Sequence, residues 1–197
     1  IKVISVLIVV AATGMGVLGV HQAQEYERST LAIYAEQQDA YVQLVLDQIN
    51  LLEDRSDEEI VQNILGSLDT SGRKYWTLTK DQALLFVKDI TETNRYKGLT
   101  TETFFTSDSA AHFLKKLAVN RVVHQMITLD GDRYVASGVI FSYNDTQYTL
   151  CLLTDETVIL DNNEFLSTRI SMYIYVIIIM VLMLLVAMGA EMTVKKR

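Results

Sequence analysis

Twenty-one consecutive residues, Ile170 to Ala190, carry no charge. As an α-helix rising about 1.5 Å per residue they reach roughly 32 Å, enough to cross the hydrocarbon core of a bilayer. Inside that core every backbone amide needs a partner within the segment, so a helix is the form expected. A second apolar run opens the chain. Ile1 to Val20 has Lys2 as its only charge and contains Thr13, Gly14, Gly16 and Gly19. No small-x-small cleavage site precedes Gln22, so this run reads as a retained helix and not as a signal peptide. The expected organisation is a first transmembrane helix over 1–20, an extracytoplasmic domain over 21–168, a second transmembrane helix over 169–190 and a cytoplasmic juxtamembrane stub over 191–197.

Charge sets the orientation. Lys195, Lys196 and Arg197 follow the second run and Lys2 starts the first, which places both ends in the cytoplasm by the positive-inside rule. Between them, His21 to Thr168 holds 12 Lys and Arg against 23 Asp and Glu, a net of −11. Such an acidic surface lacks the basic footprint that nucleic acid requires, so no nucleic-acid partner is expected. Anionic headgroups are disfavoured for the same reason, and the bilayer partner is its hydrocarbon interior.

Several motifs carry little chemistry. Gly14-Met15-Gly16-Val17-Leu18-Gly19 matches the dinucleotide fingerprint letter for letter, but a fingerprint works only at a strand-to-helix turn. Within an apolar helix, Ala12 and Gly16 read instead as small residues for close helix packing. The three histidines, His21, His112 and His124, have no ligand spacing, so neither metal nor other cofactor is expected. Cys151 is the lone cysteine and lies among Leu150, Leu152 and Leu153, as a buried strand thiol would; an outer domain without disulfides fits a bacterium. The acidic run from Glu53 to Glu59 suits a helix N-terminus, with calcium as the alternative. No serine context resembles a strained nucleophile turn, and the chain is expected not to be an enzyme.

The central segment reads as one domain. From His21 to about Asp54 apolar residues recur at Leu31, Tyr34, Tyr41, Val42, Val45, Leu46, Ile49 and Leu52, at spacings that make one helix face. Gln38 and Gln48 interrupt a strict heptad. Ser56 and Glu59 form a capping-box pair, starting a second helix with Ile60, Ile64, Leu65 and Leu68 on its apolar side. Lys74–Lys80 and Ala83–Lys88 read as a hairpin around Asp81-Gln82. Ile90 to Thr106 is polar and reads as an irregular loop. A helix follows between Ser107 and Asn120, capped by Ser107 or Asp108. Three strands come next, Val122–Leu129, Arg133–Tyr143 and Gln147–Leu153, joined at Asp130-Gly131 and Asn144-Asp145.

This order, with stretches such as Tyr75-Trp76-Thr77-Leu78 and Arg133-Tyr134-Val135-Ala136-Ser137-Gly138, resembles the Cache family. Those are PAS-like extracytoplasmic sensor domains of bacterial transmembrane receptors. The resemblance covers roughly His21 to Thr168. It implies an α+β fold: a long N-terminal helix and a five-stranded antiparallel sheet split two plus three, flanked by two transmembrane helices. It also implies a small-molecule pocket, for which the polar aromatic and basic candidates are Tyr75, Trp76, Arg95, Tyr96 and Tyr134. Arg95-Tyr96 is followed by Lys97-Gly98, so the motif of the amine-binding members is not reproduced. The function implied is sensing of a small molecule at the cell membrane, with signalling through the second helix to a cytoplasmic output beyond Arg197. The alternative is a non-catalytic bitopic subunit that scaffolds a larger membrane complex, such as a transporter or polysaccharide synthase. Either way the chain is expected to act as a homodimer or with a membrane-complex partner, through the Leu31–Leu52 stripe and Gly14, Gly16 and Gly19.

Overall fold

The computed structural model describes residues 2–52, 74–81, 83–88, 101–161 and 163–195, with Ser56, Asp57, Glu59, Ile60, Ile64, Gly66 and Leu68 between the first two stretches. The chain forms two compact units: residues 1–30 with 160–197, and Leu31–Ile159.

Helix α1 runs unbroken over Lys2–Asn50, as expected where no proline intervenes and the apolar spacing persists. The second unit takes its C-terminal part. There Leu31, Ala35, Gln38, Val42, Val45, Leu46 and Ile49 are buried, which is the helix face read from the sequence, with Gln38 inside it. The capping box at Ser56 is formed: Ser56 N donates to Glu59 Oε2 at 3.0 Å, and Glu59 N donates to Ser56 Oγ at 3.3 Å. Each side chain satisfies an amide that the first helical turn leaves open.

The remaining elements are β1 (Lys74–Lys80), β2 (Ala83–Lys88), α2 (Thr101–Phe104), α3 (Asp108–Lys116), β3 (Val123–Leu129), β4 (Asp132–Tyr143), β5 (Thr146–Asp155), α4 (Glu156–Leu160) and α5 (Asn163–Lys195). The five strands form one sheet in the order β2-β1-β5-β4-β3, and every neighbouring pair is antiparallel. The two strands of the first hairpin therefore join the three of the second group through β1 and β5, with Thr77 opposite Cys151 and Thr79 opposite Thr149. Both later hairpins turn through paired left-handed residues. Asp130 and Gly131 have φ of 51° and 94°, and Asn144 and Asp145 have φ of 47° and 58°. Two positive φ values are what a two-residue turn needs to match strand twist.

Alternation along the strands gives the sheet two apolar faces. One packs on α1: Val42, Val45, Leu46 and Ile49 meet Trp76, Leu78, Val139, Phe141, Leu150 and Leu152. The other is covered by the segment between the hairpins: Phe104, Phe105, Ala110 and Phe113 meet Ile127, Tyr134, Ala136, Cys151 and Leu153. Three expectations need correction here. Thr101–Phe104 is a short helix inside the stretch read as irregular; Phe104 and Phe105 anchor it. Helix α3 ends at Lys116, not near Asn120, because Leu117 leaves the helical region with ψ of 138°. Finally, α4 was not foreseen; Asp155 Oδ1 starts it by accepting from Thr157 N at 2.8 Å and Thr157 Oγ1 at 2.6 Å.

In the first unit, α1 and α5 approach at Gly19. A Cβ built there would lie 2.9 Å from Val176 Cγ2, whereas Gly14 and Gly16 have nothing within 4 Å. Close packing therefore falls at Gly19, one turn beyond Gly16 on the same helix face as the expected pair Ala12 and Gly16. Away from the side through Met172, Val176 and Met183, which is half-buried, the apolar side chains of α5 are exposed, among them Ile174, Ile177, Ile178, Leu182, Leu185 and Val186. Among the described residues, no helix is long and apolar enough to cross a membrane. The uncharged stretch Ile170–Ala190 includes two positions, 187 and 190, whose side chains lie outside that description.

Candidate functional site

The sequence candidates separate. Tyr75 on β1 and Tyr134 on β4 meet edge to face, with ring centroids 5.7 Å apart at 76°, on the sheet face that α2 and α3 cover. Burial, together with the neighbouring Tyr75 and Asp155, pushes the Tyr134 phenol well above its ordinary range, so Tyr134 stays a neutral hydroxyl. Trp76, the next residue along β1, points to the opposite face. It is fully buried and packs edge to face on Tyr41 of α1 at 5.5 Å. Strand alternation makes this unavoidable: adjacent residues cannot share a face. Arg95 and Tyr96 lie outside the described residues.

The space around Tyr134 is packed. Between the tyrosine pair and the far end of the sheet, Gly138 admits three side chains: Leu117, Cys151 and Phe113 stand within 2.8 to 2.9 Å of where its Cβ would be. Beyond that plug the same face opens into a cleft of about 840 Å³. Its floor is Thr79 of β1, Thr149 of β5 and Ile140 of β4, adjacent positions in the sheet register. Its wall is α3, through Leu114 and Lys115, and its other side is Thr101, Glu102 and Thr106. The volume falls within the range of small-molecule sites, and the lining combines apolar walls with a few polar groups.

The polar groups of the floor are available. Among the described residues the hydroxyls of Thr79 and Thr149 and the amide of Gln147 make no side-chain hydrogen bond to the protein. Sequence reasoning placed the pocket by aromatic residues and passed over these threonines. The signal was present in β1, where Trp76 and Leu78 alternate with Thr77 and Thr79. One side of the strand is apolar and the other hydroxylic, which marks a face not wholly given to core. Among the described residues no group of three or more His, Cys, Asp or Glu could hold a metal.

A second polar centre lies on the α1 face. Gln38 Nε2 faces the Val135 carbonyl at 3.0 Å, the Leu152 carbonyl at 3.1 Å and Ser137 Oγ at 3.1 Å. Thr154 Oγ1 donates to Gln38 Oε1 at 2.6 Å. All of these groups are buried, so the bonds hold α1 to the centre of the sheet where water cannot compete.

No family model matches this chain, and no curated protein is significantly similar to it. Solved structures do match. The chain is similar to the periplasmic sensory domain of the Campylobacter jejuni chemoreceptor Tlp1, at 12% identity and a TM-score of 0.41, over 53% of this chain and 36% of that one. It is similar also to the PAS domain of an HTR-like protein from Haloarcula marismortui, at 14% identity and a TM-score of 0.35, over 50% of this chain and 93% of that one. The chain thus spans little more than a third of the length of the chemoreceptor domain. Its own topology is a long N-terminal helix and five antiparallel strands divided two and three by short helices, the arrangement that the resemblance in the sequence implied.

Proposed function

We propose that this chain is the sensing segment of a membrane receptor, whose outer domain binds a small polar molecule in the cleft above Thr79 and Thr149. The observation that carries the reading is the cleft itself: about 840 Å³ of open space on an otherwise packed sheet face, floored by hydroxyls without protein partners among the described residues. The role is binding, not catalysis. A bound molecule bridging β5 and α3 would alter the strand that leads, through the Asp155 cap, into α4 and then α5. That gives a route from the cleft to the last helix, and on to a cytoplasmic output.

Membrane placement rests on the complete apolar runs. Ile170–Ala190 has no charge, and α5 exposes isoleucine, leucine and valine over most of its circumference. A helix apolar on every face is at home in a bilayer and not in water. With Lys2 and Lys195 to Arg197 at the cytoplasmic ends, the domain between the runs faces outward.

The test uses the full chain in lipid nanodiscs. Thermal unfolding is followed while small polar metabolites are added singly. A ligand at 100 times its dissociation constant adds about 2.7 kcal/mol of stability. Thr149→Leu, which fills the cleft floor, should remove that stabilisation and leave the unliganded transition in place. Stabilisation that survives in Thr149→Leu would move the site elsewhere, and none from any compound would end the sensing proposal. For placement, membranes are washed at alkaline pH and Arg197→Cys is labelled from either side. Release of the chain, or labelling from outside intact cells, would overturn the topology.

A further inference from the structure

The cleft above Thr79 and Thr149 grades from hydroxyl to charge between its floor and its mouth. Thr79 lies deepest, at 4% exposed, and its hydroxyl has no protein partner among the described residues. Thr149 stands opposite it in the β1–β5 register. Side chains so opposed are about 4.5–5.5 Å apart, close enough for one small molecule to engage both. Ile140 and Leu114 are half-buried around them. The charged groups of the lining, Asp81, Glu102 and Lys115, are all exposed and so belong to the mouth, where they carry both signs. Among the described residues no ionised side chain of the lining reaches the floor.

We infer that the molecule taken by this cleft is a neutral, polyhydroxylated ring of the sugar class. The inference rests on the cleft being a binding site, as proposed above, and names the chemistry it selects. A ligand carboxylate or ammonium carried down to Thr79 would give up its water with no counter-ion beside it, a cost that two neutral hydroxyls offset only in part. A ligand hydroxyl carries no such penalty once it is hydrogen-bonded. Threonine hydroxyls both donate and accept, as sugar hydroxyls do, so each can meet the other in either sense. Gln147, two residues before Thr149 and on the same face of β5, adds an amide that also donates and accepts. The walls suit the rest of such a ring. A sugar carries hydroxyls around its edge and C–H groups on its faces, and the cleft sets Leu114 and Leu117 of α3 on one side and Phe105 on the other. With its edge on the threonine floor and its faces toward those side chains, a ring leaves the charges at the mouth in water.

The test follows thermal unfolding of the full chain in nanodiscs with D-glucose, D-galactose and D-ribose, each beside its L enantiomer, and with D-glucuronate, D-glucosamine and L-serine as charged probes. The enantiomers control for the general stabilisation that excluded sugars give. A saturable rise in the transition is expected with at least one D-sugar, and not with its enantiomer or the charged probes. Thr79→Val keeps the shape of the side chain and removes its hydroxyl; it should weaken that sugar roughly two- to tenfold, the worth of one neutral hydrogen bond. Thr149→Leu should abolish its effect. Added salt should leave the affinity unchanged, since no charge pair forms; a marked fall would assign recognition to the mouth charges and overturn the inference. A charged probe that stabilises the parent and loses its effect in Thr149→Leu would overturn the sugar assignment and leave the cleft reading standing. Sugar stabilisation unchanged in both variants would overturn both. No response to any of the three D-sugars would overturn the assignment alone, because the wider metabolite series decides the cleft itself.

Discussion

Thr154 donates its hydroxyl to the side-chain carbonyl of Gln38 at 2.6 Å, joining the last strand to the long helix across the buried core. The Gln38 amide faces two strand carbonyls and Ser137 from the same place, so one side chain ties β4 and β5 to α1. Gln38→Leu keeps the approximate shape but strands the Thr154 and Ser137 hydroxyls. Leaving a buried polar group unpaired costs about 1–3 kcal/mol, and the expected loss falls in that range by chemical unfolding of the full chain. Gln38→Glu should cost more, because a carboxylate there would face the carbonyls of Val135 and Leu152.

Gly138 is required by its neighbours and not by its backbone. It sits opposite Cys151 in the β4–β5 register, and an added methyl would meet Leu117 Cδ2 at 2.8 Å, Cys151 Sγ at 2.9 Å and Phe113 Cζ at 2.9 Å. Crowding from three sides leaves little room for relief, so Gly138→Ala should destabilise by about 1–3 kcal/mol, as overpacked cores do. Phe113→Leu in the same chain withdraws one of the three atoms. The double variant should then recover part of the loss in thermal unfolding, a coupling expected only of residues in contact. Simple additivity of the two losses would refute the crowding.

The fold was legible wherever local chemistry is periodic. The hairpin at Lys74–Lys80 and Ala83–Lys88, the turns at Asp130-Gly131 and Asn144-Asp145 and the capping box at Ser56 all follow from short-range rules that tertiary contacts did not override. The site was less legible. Tyr75 and Trp76 looked like neighbours in one pocket, yet strand alternation sends them to opposite faces, and Tyr134 belongs to a packed cluster. The cleft depends on α3 standing off the far end of the sheet, and nothing in residues 108–117 alone fixes that distance. Gln38 shows the same limit. It read as a break in an apolar stripe, and only the strands facing it show why a polar group belongs there.

Cys151 should be chemically silent in the folded chain. It is buried, and burial pushes its thiol up to about 12, partly opposed by the neighbouring Thr77 hydroxyl. The thiolate is the reactive form, and almost none exists at neutral pH. Maleimide should therefore leave the native protein unlabelled and modify one site per chain once denaturant is added. Rapid labelling without denaturant would mean that β5 opens locally.

The last prediction concerns acid. Asp57, in the turn capped by Ser56, takes Lys80 Nζ on Oδ2 at 2.8 Å and the Tyr148 hydroxyl on Oδ1. Partial burial works to raise its pKa, but the hydrogen bonds from Lys80 and Tyr148 and the charge of Lys80 outweigh it, and the carboxyl ends below its ordinary 3.8. A carboxylate whose folded pKa is depressed contributes stability that is present above its unfolded pKa and is lost as pH falls through the folded one. The Asp57 contribution should thus be complete at neutral pH and fade below about pH 4, the range of an ordinary aspartate. Side-chain exposure of 36% at Asp57 and 33% at Lys80 leaves the pair open to solvent screening, so its effect is modest and weakens with added salt. Asp57→Asn should be less stable than the parent at pH 7, and the gap between the two should close as the pH approaches 3. Unfolding midpoints of both proteins across that range give the test. A gap that stays constant down to pH 3 would show that the contact acts through packing and not through the charge on Asp57.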